Sequence, residues 1–63
     1  MFQELQCVRA RSALPEHGIE AGALGAVVHV FTRPQRAYEV EFCDDQGETI
    51  AMVPLKADQL VAA

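Results

Sequence analysis

Residues 20–31 read Glu-Ala-Gly-Ala-Leu-Gly-Ala-Val-Val-His-Val-Phe, and this stretch decides the fold. Two glycines, Gly22 and Gly25, come just before a run of β-branched and aromatic residues. Such residues favour the pleated surface of a β-strand, whereas glycine suits the turn that leads into it. We therefore predict a central strand over Leu24–Phe31, with the other strands pairing to it.

The next segment has the clearest alternation in the chain. Tyr38, Val40 and Phe42 are apolar, and the residues between them, Glu39 and Glu41, are acidic. Because side chains alternate between the two faces of a strand, this period of two predicts a strand over 37–42. The apolar set faces the core and the glutamates face water, so we interpret this acidic pair as a solvated outer surface and not as an acid–base dyad.

The C-terminal third predicts a hairpin followed by a short closing strand. Asp44–Gly47 supplies residues that tolerate left-handed turn geometry, which places a return strand over Thr49–Val53. Pro54 ends that strand or marks it as an edge, because proline cannot donate to a ladder. Lys56–Gln59 suits one short 3₁₀ turn, and residues 60–61 then close against the first strand.

The N-terminal third predicts a first strand over Leu5–Arg9, and there are two alternatives for which of its side chains point into the core. Strict alternation buries Leu5, Cys7 and Arg9, whereas a bulge or a shifted register turns Val8 and Ala10 inward. Both alternatives remain at this point.

A long irregular loop over Ser12–Gly22 follows, with Leu14 and Ile19 as its anchors beneath the barrel. Thr32–Arg36 is a second turn, because Pro34 cannot sit inside a paired central strand.

Together these elements predict an all-β fold: one domain over residues 1–63, built as a small five-stranded SH3-like barrel with a long first loop and one 3₁₀ turn near the C-terminus. Barrel closure removes exposed sheet edges. The predicted core comprises Leu14, Ile19, Leu24, Val27, Val28, Val30, Tyr38, Val40, Phe42, Ile50, Met52, Leu55 and Leu60.

Size and charge argue against several functional classes. A chain of 63 residues buries only about 60% of its unfolded surface, so a deep, lidded pocket is not expected and neither is a stand-alone enzyme. The net charge of −4 argues against nucleic-acid binding, which depends on basic residues. No apolar run approaches a membrane span and no signal pattern is visible, so we expect a cytoplasmic protein.

Soft metal ligands are few and widely spaced: Cys7, Cys43, His17 and His29. No two of them have the short spacing of a structural zinc site, so we expect no metal and no cofactor. Two cysteines are too few for a secreted disulfide framework and are expected to be reduced. The carboxylates that follow Cys43 disfavour a thiolate there, so we expect no catalytic residue.

Binding residues are expected on the Ser12–Gly22 loop and the Thr32–Arg36 turn, because loops on a rigid barrel commonly carry contacts. His17 could contact a partner or hydrogen-bond a backbone carbonyl and so pin the loop. The predicted partner-binding residues are Glu16, His17, Glu20, Phe31, Arg33 and Arg36.

Three segments carry a resemblance to a known family: Leu14-Pro15-Glu16-His17-Gly18, Ala21-Gly22 with Leu24-Gly25-Ala26-Val27-Val28-His29-Val30, and Ala37-Tyr38-Glu39-Val40-Glu41-Phe42. In their order and spacing they are similar to small bacterial proteins of unknown function with an SH3-like barrel. The resemblance implies the barrel and no activity, and points to a role of the chain itself as an immunity or antitoxin-like protein. The Gly22–Val30 segment also resembles the KOW motif of ribosomal and transcription-factor barrels.

The expected function is therefore a non-catalytic protein-interaction module, whose acidic surface would attract a basic partner such as a toxin. The alternative is a KOW-like RNA-binding module, which needs Arg9, Arg11, Arg33 and Arg36 on one side. Association of two copies is a further expectation, with Phe2, Phe31 and residues 60–63 available for burial.

Overall fold

The computed structural model describes residues 1–63 and is all-β, which confirms the predicted SH3-like barrel. The five antiparallel strands lie in the order β4-β3-β2-β1-β5. Their bounds are Cys7–Ala10 (β1), Leu24–Phe31 (β2), Ala37–Cys43 (β3), Thr49–Leu55 (β4) and Leu60–Ala62 (β5). Two 3₁₀ turns cover Pro15–His17 and Ala57–Gln59, and no helix has the length and apolar character to cross a membrane.

A β-bulge in β2 explains how a continuous apolar run fits into so small a barrel. Val27 lies opposite Val40 and His29 lies opposite Glu39, which leaves Val28 as the extra residue. An extra residue bends the strand and redirects the side chains that follow it. The core face of β2 therefore changes from odd-numbered to even-numbered positions, and His29 points outward.

The core lies on one face of the curved sheet and contains ten buried apolar residues. Seven of them belong to the predicted core, including the three apolar residues of the alternating β3 segment. The buried set is Val8, Ala10, Ile19, Val27, Tyr38, Val40, Phe42, Val53, Leu55 and Leu60.

Strand β1 adopts the shifted facing. It begins at Cys7 and not at Leu5, and Val8 and Ala10 are buried whereas Arg9 is exposed. A buried guanidinium would lose its hydration, so this register is the favourable one. The Arg9 Nη1 instead donates to the Gly22 carbonyl oxygen at 3.0 Å.

The predicted facing of β4 is wrong. Ile50 and Met52 are 47% and 51% exposed, whereas Val53 and Leu55 are buried. Directly paired residues of antiparallel strands share a face, and Val53 lies opposite the buried Val40. The strand also continues through Pro54 to Leu55.

Four other predicted core residues are not fully buried. Leu24 is 47% exposed because it pairs with Arg9 on the outer face of the sheet. Leu14 and Val30 are half-buried and pack against the rim of the core, and Val28 is half-buried at the bulge.

The first loop is more regular than predicted. It contains the 3₁₀ turn Pro15–His17, and main-chain hydrogen bonds between Leu14 and Ile19 close its base. The His17 amide donates to the Leu14 carbonyl oxygen at 2.9 Å, while its imidazole is exposed. The backbone of this loop therefore pins it, and the imidazole does not.

Candidate functional site

An open groove of about 770 Å³ lies between the end of the first loop and the β3–β4 hairpin. Its walls come from residues 18–24 on one side and residues 43–45 on the other. Its charged and large exposed apolar lining residues are Arg9, Glu20, Leu24, Asp44, Asp45 and Ile50.

Main-chain hydrogen bonds hold the loop wall of the groove in place. The Gly22 amide donates to the Ala10 carbonyl oxygen at 2.8 Å, and the Ala10 amide donates to the Ala23 carbonyl oxygen at 3.0 Å. Gly22 has φ +83°, a left-handed conformation that glycine adopts without strain. The Arg9 side chain binds the same glycine, so it stands at the groove as a fixed cation.

The hairpin wall is shaped by one carboxylate. The Asp44 Oδ1 accepts hydrogen bonds from the Gln46 and Glu48 amides, both at 2.9 Å, and the Gly47 amide donates to the Asp44 carbonyl oxygen. Such bonds from an aspartate to the following backbone stabilise turns. Asp45, in contrast, is exposed, lines the groove and accepts no hydrogen bond from the backbone of this turn.

The groove combines an apolar floor with acidic walls. Leu24 and Ile50 are both 47% exposed and supply large apolar side chains to its lining. Three carboxylates, those of Glu20, Asp44 and Asp45, line it against the single guanidinium of Arg9. Its charge and shape therefore favour a ligand that is cationic and partly apolar.

A smaller depression of about 210 Å³ continues the groove across the outer face of the sheet. It includes Leu24, both cysteines and Glu41, with Ala26 as a small residue in its floor. Cys7, Ala26 and Glu41 lie side by side on three neighbouring strands. Both thiols are free and exposed.

The structure brings only some of the predicted binding residues together. Glu20 lines the groove, and Glu16 and His17 lie exposed on the neighbouring 3₁₀ turn. Phe31, by contrast, pairs with Ala37 at the opposite end of the β2–β3 ladder from the groove.

The turn that follows Phe31 carries the remaining two predicted residues, Arg33 and Arg36, which are exposed there. The first loop at Glu20 and the second turn do not form one surface. The four arginines proposed for RNA binding do not lie together either. Arg9 lies at the groove end of the sheet, whereas Arg33 and Arg36 lie on the turn after Phe31 at the other end.

A second, smaller polar–aromatic cluster lies on the outer face of β2. The rings of His29 and Phe31 meet edge-on with centroids 4.6 Å apart, and the His29 Nδ1 lies 3.8 Å from the Glu4 carboxylate. No three histidine, cysteine or carboxylate side chains anywhere in the chain lie close enough to hold a metal ion.

Sequence reasoning missed the apolar part of the groove. Leu24 and Ile50 were expected in the core, and Asp45 was interpreted only as a turn residue. The sequence signal that could have placed Leu24 at the surface was its position beside the glycine turn. The outward facing of Ile50 depends on the β3–β4 register, which no local pattern reveals.

These features define a small barrel domain with an acidic, apolar-floored surface groove. The chain belongs to the family described as a domain of unknown function (DUF4926), whose model matches residues 4–62. Comparison with curated proteins and with solved structures found no match.

Proposed function

We propose that this protein is a non-catalytic interaction module that binds a basic protein partner in the groove. The observation that carries the proposal is the pairing of half-exposed Leu24 and Ile50 with the carboxylates of Glu20 and Asp45 around one concave surface. Concave surfaces with an apolar floor and a few polar groups are typical binding sites.

The chemistry of the groove selects the kind of side chain that it would bind. A lysine or arginine has an apolar stem and a cationic head, so its stem can lie on Leu24 and Ile50 while its head meets a carboxylate. Arg9 already occupies part of this acidic surface through its bond to Gly22, which leaves the Asp45 side as the open half.

In this proposal the partner is a protein whose own site is basic, and a toxin neutralised by this domain is the version that the family resemblance favours. The acidic surface would speed its association by electrostatic steering. The setting we propose is a bacterial cytoplasm, with which two free thiols are compatible.

The test is an affinity capture from lysate of the native host, with three versions of the tagged protein compared. The wild type is set beside the groove variant Glu20→Lys/Asp45→Lys. A matched control, Glu4→Lys/Asp58→Lys, changes the net charge equally at exposed residues that do not line the groove.

We expect the wild type and the control to retain one stoichiometric protein with a basic surface, and the groove variant to lose it. Equal capture by all three versions would contradict a groove site. Recovery of RNA-bound components that nuclease removes would favour the KOW-like alternative instead.

A further inference from the structure

The depression on the outer face of the sheet is continuous with the groove. Leu24, Cys43 and Asp44 line both of them. Beyond these shared residues the depression follows β2 to Ala26, whose methyl group lies between the larger side chains of Cys7 and Glu41 on the neighbouring strands. The short side chain of Ala26 therefore creates the depression.

The size and position of the depression suit one side chain of a longer ligand. Its volume of about 210 Å³ is below the range of about 300–1,000 Å³ for sites that enclose a whole small molecule. Leu24 and Ala26 are two residues apart on β2, so the groove position and the depression position are about 7 Å apart. Alternate side chains of an extended peptide have the same spacing and point to the same side.

One carboxylate in the depression is oriented by the protein and keeps an unused acceptor. The Thr49 hydroxyl donates to the Glu41 Oε2, whereas the Glu41 Oε1 accepts no hydrogen bond. No basic side chain lines the depression, and Glu41 forms no ion pair within the chain. A carboxylate in this state is a suitable acceptor for the ammonium of a lysine or the guanidinium of an arginine.

We propose that the partner binds through an extended segment with basic residues at positions i and i+2. The first basic side chain lies on Leu24 and meets the Asp45 carboxylate. The second lies over the Ala26 methyl group and meets the Glu41 Oε1. This inference rests on the proposed function and deepens it, because it specifies which sequence the groove and the depression recognise together.

The charge of the surface selects this class of segment. Arg9 is the only basic residue that lines the groove or the depression, against the four carboxylates of Glu20, Glu41, Asp44 and Asp45. An acidic segment would be repelled, and a wholly apolar one would cover carboxylates without pairing them. Adjacent basic residues point to opposite sides of an extended chain, so only one of them would reach this surface.

The test compares two pentapeptides of identical composition and charge, both with blocked ends. In Ser-Lys-Ser-Lys-Ser the lysines are two residues apart, whereas in Ser-Lys-Lys-Ser-Ser they are adjacent. Each is titrated at low salt into ¹⁵N-labelled protein, and the dissociation constant is taken from the shifts of the amide signals. We expect the first peptide to bind about fivefold tighter, through one additional charge-assisted contact, and to shift the Ala26 and Asp45 amides together.

Two variants locate the second contact. Glu41→Gln removes the charge and keeps an acceptor for Thr49, whereas Ala26→Leu fills the depression without a change of charge. We expect both to abolish the preference for the first peptide. Glu39→Gln is the matched control, because Glu39 is also half-buried on the same face of β3 but lies outside the depression. It should retain the preference, and the NMR spectra verify that each variant is folded.

Equal affinity of the wild type for the two peptides overturns the proposal. So does a Glu41→Gln variant that keeps the preference, and so does a wild type that binds neither peptide, because an extended basic segment is then not what the surface recognises. These results leave the lysate capture unaffected, since a partner can still depend on Glu20 and Asp45. Conversely, equal capture by the Glu20→Lys/Asp45→Lys variant contradicts the proposed function whatever the peptides show.

Discussion

The ring of Phe2 meets the ring of Tyr38 edge-on, with centroids 5.4 Å apart and planes 85° from parallel. The Phe2 amide also donates to the Tyr38 hydroxyl at 3.4 Å. Tyr38 is completely buried, and Phe2 packs against its ring and hydroxyl. The N-terminal segment is therefore part of the barrel and closes one end of its core.

Removing this cover should destabilise the fold. We expect Phe2→Ala to lower the free energy of unfolding by about 1–2 kcal/mol, through lost apolar burial and the lost aromatic pair. Urea denaturation followed by circular dichroism measures the change. Phe31→Ala is the matched control and should cost less, since Phe31 is exposed on the outer face. Equal losses would mean that Phe2 does not close the core.

Gly25 lies where β2 and β3 approach each other too closely for a side chain. A Cβ at this position would lie 2.9 Å from both the Glu41 carbonyl oxygen and a Val40 methyl group. We expect Gly25→Ala to destabilise the protein by about 2–3 kcal/mol, because the backbone of β3 must move. Thermal unfolding measures the effect.

The comparison variant is Gly22→Ala, which has open space around the new methyl group but a positive φ. It should cost about 1 kcal/mol, the usual penalty of a left-handed alanine. A larger loss for Gly22→Ala than for Gly25→Ala would show that backbone conformation, and not strand proximity, is the stricter requirement.

The facing of β4 can be tested with neighbouring residues. We expect Val53→Ala to lower stability by about 2–3 kcal/mol, because Val53 is buried opposite Val40. Met52→Ala should change it by less than about 0.5 kcal/mol, because Met52 is half exposed. Both values come from urea denaturation followed by circular dichroism. The reverse order would restore the facing that the sequence favoured.

The hairpin turn depends on one of its two aspartates. Asp44→Ala removes the acceptor of the Gln46 and Glu48 amides and should cost about 1 kcal/mol. Asp44→Asn keeps an acceptor oxygen and should lose less. Asp45→Ala should leave the unfolding midpoint unchanged, because Asp45 does not accept those bonds. If both alanine variants lost stability equally, Asp44 would not be the residue that shapes this wall of the groove.

Local sequence patterns were sufficient to predict the buried side chains of a strand that has one polar and one apolar face. The alternation from Tyr38 to Phe42 placed all three apolar side chains of β3 in the core, and the hairpin turn after it was predicted correctly. Strand β4 lacks that contrast, because Ile50, Ala51, Met52 and Val53 are all apolar. With no polar residue to indicate the solvent side, its facing could not be predicted.

The sequence by itself determined the strand order along the chain, the turns and the all-β class, because these depend on neighbouring residues and on backbone preferences. Only the tertiary structure decided which side chains share a surface. The extra residue at Val28 changes the faces of β2, and the register shift between β3 and β4 leaves Ile50 exposed in the groove that Leu24 and Asp45 also line. Pairing register depends on contacts between distant segments, so no single stretch of the chain contains it.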